Sequence, residues 1–92
     1  MGNALHLASF LGHENTVQLL IERGADVNSV DGCFETPLLA AIAGNRREAV
    51  EILLSNGADV NYCSVEHGSA LHIGRGVASR EVVELLMQHG AC

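Results

Sequence analysis

The chain has 92 residues, of which 48% are hydrophobic, and its only aromatic residues are one Tyr and two Phe. This length allows one domain with one aliphatic core. A net charge of -6 with no Lys disfavours binding to nucleic acid or to an anionic membrane surface. We expect neither a membrane span nor a secretory signal in these residues, because they contain no apolar run of the ~20 residues that a span needs and do not begin with a basic region followed by an apolar run. Its three Cys form no disulfide framework, so we expect a cytoplasmic or nuclear protein.

The first predicted element is a short helix over residues 5–10, preceded by Asn3 as a candidate N-cap. A turn near Gly12 leads to a second helix with Glu14 in its first turn, where the helix dipole favours negative charge. Gly24 is expected to end this helix in a left-handed conformation. The side chains expected on the buried face of this helix are those of Val17, Leu20 and Ile21.

The same pattern returns twice at a spacing of 33 residues, so the chain is a stack of copied helix pairs. First helices are predicted over residues 38–43 and 71–76, with Thr36 and Ser69 as N-caps and Pro37 at the first helical position. Gly74 and Gly76 should make the third copy the weakest. The second helices are expected to bury Val50, Leu53 and Leu54, then Val83, Leu86 and Met87, and to end at Gly57 and Gly90.

Several segments give this repeat a family resemblance. Thr36-Pro37-Leu38 opens one first helix, Leu5-His6-Leu7-Ala8 and Leu71-His72 occupy the same place in the others, and residues 24–28 return unchanged as residues 57–61. The chain resembles ankyrin repeats in these segments and in its period. The resemblance implies an all-α solenoid of antiparallel helix pairs, joined by β-hairpin-like fingers at residues 27–35 and 60–68.

The repeats are placed at approximately residues 1–30, 31–63 and 64–92 of a single domain, the first and last being truncated. We therefore expect the chain to be part of a longer protein. It departs from the family pattern at Leu39, where the family usually has His, and at Phe34 and His67, where a loop Gly is usual.

Function is also implied by the resemblance: a non-catalytic module that binds another protein or peptide through its concave surface, and is itself monomeric. Bulk on that surface should fall from Phe10 toward Gly76, leaving a trough for an apolar anchor beside a Lys or Arg. The alternative is that a preceding repeat covers Phe10 and Leu11. Glu35→Lys and Gly44→Arg are expected to be surface changes that spare folding. The candidate partner-binding residues are Phe10, Leu11, Ala43, Gly44, Gly76 and Val77 on helices, with Cys33, Glu35, Val65 and Glu66 on fingers.

Catalysis and cofactor binding are not expected, because no nucleophile is spaced with a base and no glycine-rich phosphate loop is present. Cys63 and His67 have the spacing of two metal ligands, but without further grouped ligands they are interpreted as ordinary loop residues and no metal site is predicted.

Three further interpretations stay open at this point. The chain could be a spacer within a longer scaffold that binds nothing. Asn28 and Asn61 resemble the sites of an ankyrin-directed asparaginyl hydroxylase, although side-chain bonds to the loop backbone also explain them. Arg46, Arg47 and Arg80 form a basic edge, which either screens Glu51 and Glu84 four residues after Arg47 and Arg80 or meets an acidic peptide.

Overall fold

A computed structural model describes residues 2–30, 35–64, 68–77 and 80–90. Their helices form three successive pairs. The first helices α1, α3 and α5 pack side by side in one layer, and the second helices α2, α4 and α6 form the other. The expected all-α stack of helix pairs is confirmed. The helices are α1 (Gly2–Leu11), α2 (Glu14–Glu22), α3 (Pro37–Ala43), α4 (Arg47–Ser55), α5 (Ala70–Val77) and α6 (Arg80–Gln88).

The first helices begin in different ways. Thr36 caps α3 as predicted, because its Oγ1 accepts a hydrogen bond from the backbone N–H of Leu39 at 3.2 Å, and Pro37 takes the first helical position. The prediction that Asn3 is an N-cap is wrong, since α1 already begins at Gly2 and Asn3 lies inside it. Ser69 directly precedes α5, in the place predicted for it.

The second helices begin and end as the sequence predicts. Glu14, Glu48 and Glu81 each lie in a first turn, where their charge complements the helix dipole. Each helix is followed by a glycine with a left-handed backbone, and this conformation lets the next N–H turn back onto the helix. The N–H of Ala25, for example, donates to the carbonyl oxygen of Leu20 at 2.9 Å. These glycines are Gly24 (φ 96°), Gly57 (φ 90°) and Gly90 (φ 91°).

The core lies between the two helix layers and is richest in the second repeat. Val50, Leu53 and Leu54 are buried as predicted. The predicted stripe of α6 is wrong at its outer edge: Met87 is 54% exposed, and Val82 and Leu85 are buried instead. Within the described residues, α6 packs against α4 and α5 and nothing covers its far side, so its buried face is rotated toward α4.

The second finger contains a short antiparallel hairpin, as expected for a finger loop. Strand β1 (Cys63–Ser64) pairs with β2 (Gly68–Ser69) in the register Cys63 to Ser69 and Ser64 to Gly68. Residues 31–34 of the first finger, including Phe34, lie outside the described part of the chain, as does His67 of the second.

Candidate functional site

The last turns of the three first helices form a row of small and large side chains. Phe10, Ala43 and Gly76 occupy equivalent places in α1, α3 and α5, which lie side by side. Phe10 and Ala43 are half-buried and Gly76 is exposed. Among the described residues, no atom of a neighbouring element lies within 4 Å of where a Cβ on Gly76 would stand. Side-chain bulk therefore falls along the row from a benzyl group to a hydrogen atom.

The neighbouring residues of this row are Leu11, Gly44 and Val77. Leu11 is 41% exposed, Gly44 is half-buried, and Val77 is the last residue of α5. We call the six positions the first-helix surface: Phe10, Leu11, Ala43, Gly44, Gly76 and Val77.

Gly44 is required by the packing of the first two repeats. A Cβ at this position would collide with the backbone carbonyl oxygen of Phe10, which belongs to the rigid end of α1. Arg46 reinforces the same contact, since its Nε–H donates to that carbonyl oxygen at 3.0 Å. The expectation that Gly44→Arg is a harmless surface change is therefore wrong. The basic residue Arg46 closes the last turn of the preceding repeat's first helix, where an orphan carbonyl group needs a donor.

Glu35 forms hydrogen bonds with α1 and with the second finger. The backbone carbonyl oxygen of Glu35 accepts a hydrogen bond from Nε2 of His6 at 2.6 Å, and its carboxylate Oε1 accepts one from the hydroxyl of Tyr62 at 2.6 Å. Glu35 is half-buried and has a left-handed backbone with φ 68°. Such a backbone costs a non-glycine residue roughly 1–2 kcal/mol. Charge reversal at Glu35 would place the positive charge of Lys against the Tyr62 hydroxyl and remove its acceptor; that the variant still folds stays a prediction.

The contact with Glu35 raises the pKa of Tyr62. The hydrogen bond to Glu35 is the main reason that the pKa of the Tyr62 hydroxyl lies above its ordinary value of 10.0. Desolvation and the negative charge of Glu35 act in the same direction. The sequence analysis did not single out Tyr62. Tyr62 lies in the second finger, 27 residues after Glu35, and this separation is not a multiple of the 33-residue repeat.

The other predicted finger residues lie outside the described part of the chain: Cys33, Val65 and Glu66. His67 lies there too, and the side chain of Cys63 is not described. Among the described residues, no three His, Cys, Asp or Glu side chains are grouped as metal ligands.

Asn28 links the first repeat to the second with both ends of its amide. Its Oδ1 accepts from the backbone N–H of Asp59 at 2.7 Å, and its Nδ2 donates to the carbonyl oxygen of Gly57 at 3.1 Å. The interpretation of this Asn as a loop-stabilising residue is confirmed. The equivalent Asn61 donates its backbone N–H to Oδ1 of Asp59 at 3.0 Å. Hydroxylation of Asn28 or Asn61 stays a prediction.

The basic edge makes local ion pairs. Nε of Arg80 lies 3.1 Å from a carboxylate oxygen of Glu84, as the spacing of four residues predicts. Nη1 of Arg47 lies 3.7 Å from a carboxylate oxygen of the adjacent Glu48, and the screening of Glu51 by Arg47 stays a prediction. All of these groups are exposed, and such pairs contribute ~0–1 kcal/mol.

Sequence reasoning missed a second surface, made of exposed leucines on the first repeat. Leu7 is 59% exposed and Leu19 is 47% exposed, whereas the equivalent Ala40 and Leu85 are buried and the equivalent Ile73 and Ile52 are half-buried. The repeat gives no signal for this difference, because Ile73, Ile52 and Leu85 are as large and apolar as the two leucines of the first copy.

Comparison with known proteins agrees with the geometry. Residues 5–92 match the family model for ankyrin repeats, in three copies. A segment of 41 residues is 46% identical to the E3 ubiquitin-protein ligase XBAT33 of Arabidopsis thaliana, covering 45% of this chain and 8% of that protein. In the described part of the chain, every helix is too short or too polar to span a membrane. The chain belongs to the ankyrin repeat family.

Proposed function

We propose that this chain is a non-catalytic module that binds another protein or peptide on its first-helix surface. Ankyrin repeats are generally protein-interaction modules, which gives the class of function. The observation that carries the choice of surface is the row Phe10, Ala43 and Gly76, because three neighbouring helices present side chains of decreasing size toward one side.

The row suits a partner segment with one apolar anchor. Phe10 is only half-buried and can contact the anchor, and the open space beside Gly76 leaves room for the rest of the segment. The net charge of -6 favours a Lys or Arg beside that anchor. Glu35 and Glu66 are the two acidic residues proposed to meet this base; one carboxylate oxygen of Glu35 already accepts from Tyr62, and Glu66 lies outside the described residues.

Peptide selection on the immobilised chain tests the proposal. Peptides are selected from a random library, and their affinities are measured for the wild-type chain and for the row variants Ala43→Arg and Gly76→Arg. Ser55→Arg is the control. Ser55 is exposed at the end of α4, in the layer of second helices, so the control adds the same charge elsewhere.

We expect both row variants to weaken binding tenfold or more, which corresponds to a loss of about 1.4 kcal/mol, and the control to leave it unchanged. Circular dichroism confirms that each variant is folded. Equal affinities for all three variants would move the binding site off the first-helix surface. Selection of no peptide by the folded chain would favour the spacer interpretation instead.

Hydroxylation of Asn28 or Asn61 is a separate proposal with its own readout. Both residues are exposed, yet the Asn28 amide holds two hydrogen bonds to the next repeat, which an enzyme would have to open to reach its Cβ. Intact mass after incubation with an asparaginyl hydroxylase should show one added oxygen per modified site. An unchanged mass would remove this proposal without affecting the interaction module.

A further inference from the structure

Arg46, the residue before α4, lies across the contact between the first two repeats. Its Nε–H donates to the backbone carbonyl oxygen of Phe10 at 3.0 Å. Its methylene stem lies beside two glycines: a Cβ on Gly12 would stand 2.7 Å from Cδ of Arg46, and a Cβ on Gly44 would stand 3.3 Å from its Cγ. The protein therefore holds both the stem and one nitrogen of this guanidinium in place.

The outer part of the same guanidinium is available to a ligand. Arg46 is exposed, and its Nη1 and Nη2 make no hydrogen bond or ion pair with any described residue. The other two arginines of the basic edge differ in this respect, because Arg47 pairs with Glu48 and Arg80 pairs with Glu84. Arg46 thus presents a fork of two amino groups that is already oriented, so a planar carboxylate can bind it with little further loss of side-chain freedom.

This fork borders the first-helix surface. Phe10, whose carbonyl oxygen accepts from Arg46, and Gly44, which lies against the Arg46 stem, both belong to that surface. Arg46 follows the end of α3, whereas Glu35 lies just before its start. Because these are opposite ends of one helix, an acidic group of the partner at Arg46 does not compete with the basic group proposed to meet Glu35.

We propose that Arg46 binds the carboxylate of an Asp or Glu side chain in the partner segment, next to the apolar anchor on Phe10. The proposal rests on the proposed function and makes Arg46 a specificity-determining residue for it. The equivalent residues of the other repeats are His13 and Ser79, so a partner shifted by one repeat would lose the contact. The net charge of -6 does not prevent it, because salt screens exposed charges beyond ~8 Å whereas this carboxylate is in direct contact.

Peptides test this contact, with two variants of the chain. Peptides are selected from a random library on the wild-type chain and synthesised with an amidated C-terminus, so that only side-chain carboxylates remain. In Arg46→Gln the amide nitrogen of Gln replaces Nε, so the variant keeps a donor for the Phe10 carbonyl oxygen and loses only the Nη fork. Arg23→Gln is the matched control, because Arg23 is an exposed arginine at the far end of α2 from the turn at Gly12.

The selected peptides should contain Asp or Glu. Arg46→Gln should weaken their binding about fivefold, and Arg23→Gln should leave it unchanged. Replacing the peptide's acidic residue by its amide should weaken binding to the wild-type chain by the same factor and have little effect on binding to Arg46→Gln, because both changes remove one shared contact. Urea denaturation should give nearly the same midpoint for Arg46→Gln and the wild-type chain, since the donor to α1 is kept.

Two results would overturn the role of Arg46: selected peptides without acidic residues, or losses that add independently in the peptide and chain variants. Gly76→Arg separates this proposal from the proposed function. Peptides weakened by Gly76→Arg and not by Arg46→Gln would use the first-helix surface without the carboxylate contact. Peptides weakened by Arg46→Gln and not by Gly76→Arg would keep the carboxylate contact but refute the anchor site. Selection of no peptide by the folded chain would overturn both proposals.

Discussion

Oδ1 of Asn28 accepts the backbone N–H of Asp59 at 2.7 Å, so a side chain of the first repeat completes a turn of the second. Together with the bond from its Nδ2 to Gly57, this amide satisfies two backbone groups of the next loop. Asn28 is exposed, yet its side chain links the first repeat to the second.

Replacing Asn28 tests that role. Asn28→Ala removes two inter-repeat hydrogen bonds and should lower the free energy of unfolding by about 1–2 kcal/mol. Asn28→Asp keeps an acceptor for Asp59 but turns an oxygen toward the carbonyl oxygen of Gly57, so it should also destabilise. Urea denaturation provides the measurement, with Asn15→Ala on exposed α2 as the control. A loss in Asn28→Ala no larger than in the control would contradict the linking role.

Gly74 and Gly76, two residues apart in α5, should respond in opposite ways to Ala. Gly76 has open space around its Cβ position, so Gly76→Ala should stabilise the helix by about 0.5–1 kcal/mol. A Cβ on Gly74 would lie 3.3 Å from Cδ1 of Leu86, so the Leu86 side chain must shift by a few tenths of an ångström and Gly74→Ala should gain less or destabilise. Thermal unfolding of the two variants separates these effects, and equal gains would show that the Leu86 side chain shifts without cost.

The central core should be far more sensitive than the exposed end. Leu53 is completely buried in the second repeat, and Leu53→Ala should cost ~2–5 kcal/mol, enough to unfold a chain of this size. Met87→Ala removes an apolar side chain that is already 54% exposed and should have a much smaller effect. Chemical denaturation of both variants gives the comparison. Similar losses would mean that the third repeat is packed as firmly as the second.

The contact between Tyr62 and Glu35 predicts a pH dependence. Because the native pKa of Tyr62 is raised, the folded chain keeps this proton to higher pH than the unfolded chain does. The resulting stability is fully present below pH 10.0 and is lost as the pH rises through the raised native pKa. Tyr62 is the chain's one tyrosine, so tyrosinate absorbance follows it directly.

Glu35→Gln supplies the control for this titration. It keeps an oxygen acceptor of the same shape but removes the negative charge, so the pKa of Tyr62 should fall toward its ordinary value. An unchanged titration in Glu35→Gln would mean that the carboxylate does not hold the tyrosine proton.

The start of α3 and the end of α4 were predictable from the sequence because their causes lie within one helix. Thr36 and Pro37 determine the start of α3, and Gly57 determines the end of α4, whatever the neighbouring repeats do. Contacts between repeats were not predictable in the same way. Met87 follows the repeat pattern of Leu54 but is exposed, because burial at this position depends on whether a further helix packs there.

The candidate site likewise combines positions that the sequence predicts with contacts that it does not predict. The order Phe10, Ala43 and Gly76 along the first-helix surface follows directly from the repeat. The pairing of Glu35 with Tyr62 and of Arg46 with the Phe10 carbonyl joins residues 27 and 36 positions apart, and neither separation is a multiple of the period. Such pairs depend on how far the fingers and turns reach, which side-chain periodicity does not encode.

The close approach of α3 to the Phe10 carbonyl oxygen limits how this surface can diversify. In a library randomised at positions 43, 44 and 76, folded clones should retain glycine at position 44, because any Cβ there collides with backbone. Variation is then confined to positions 43 and 76, on α3 and α5. New specificities must therefore arise around a constant glycine that the stacking of the repeats requires.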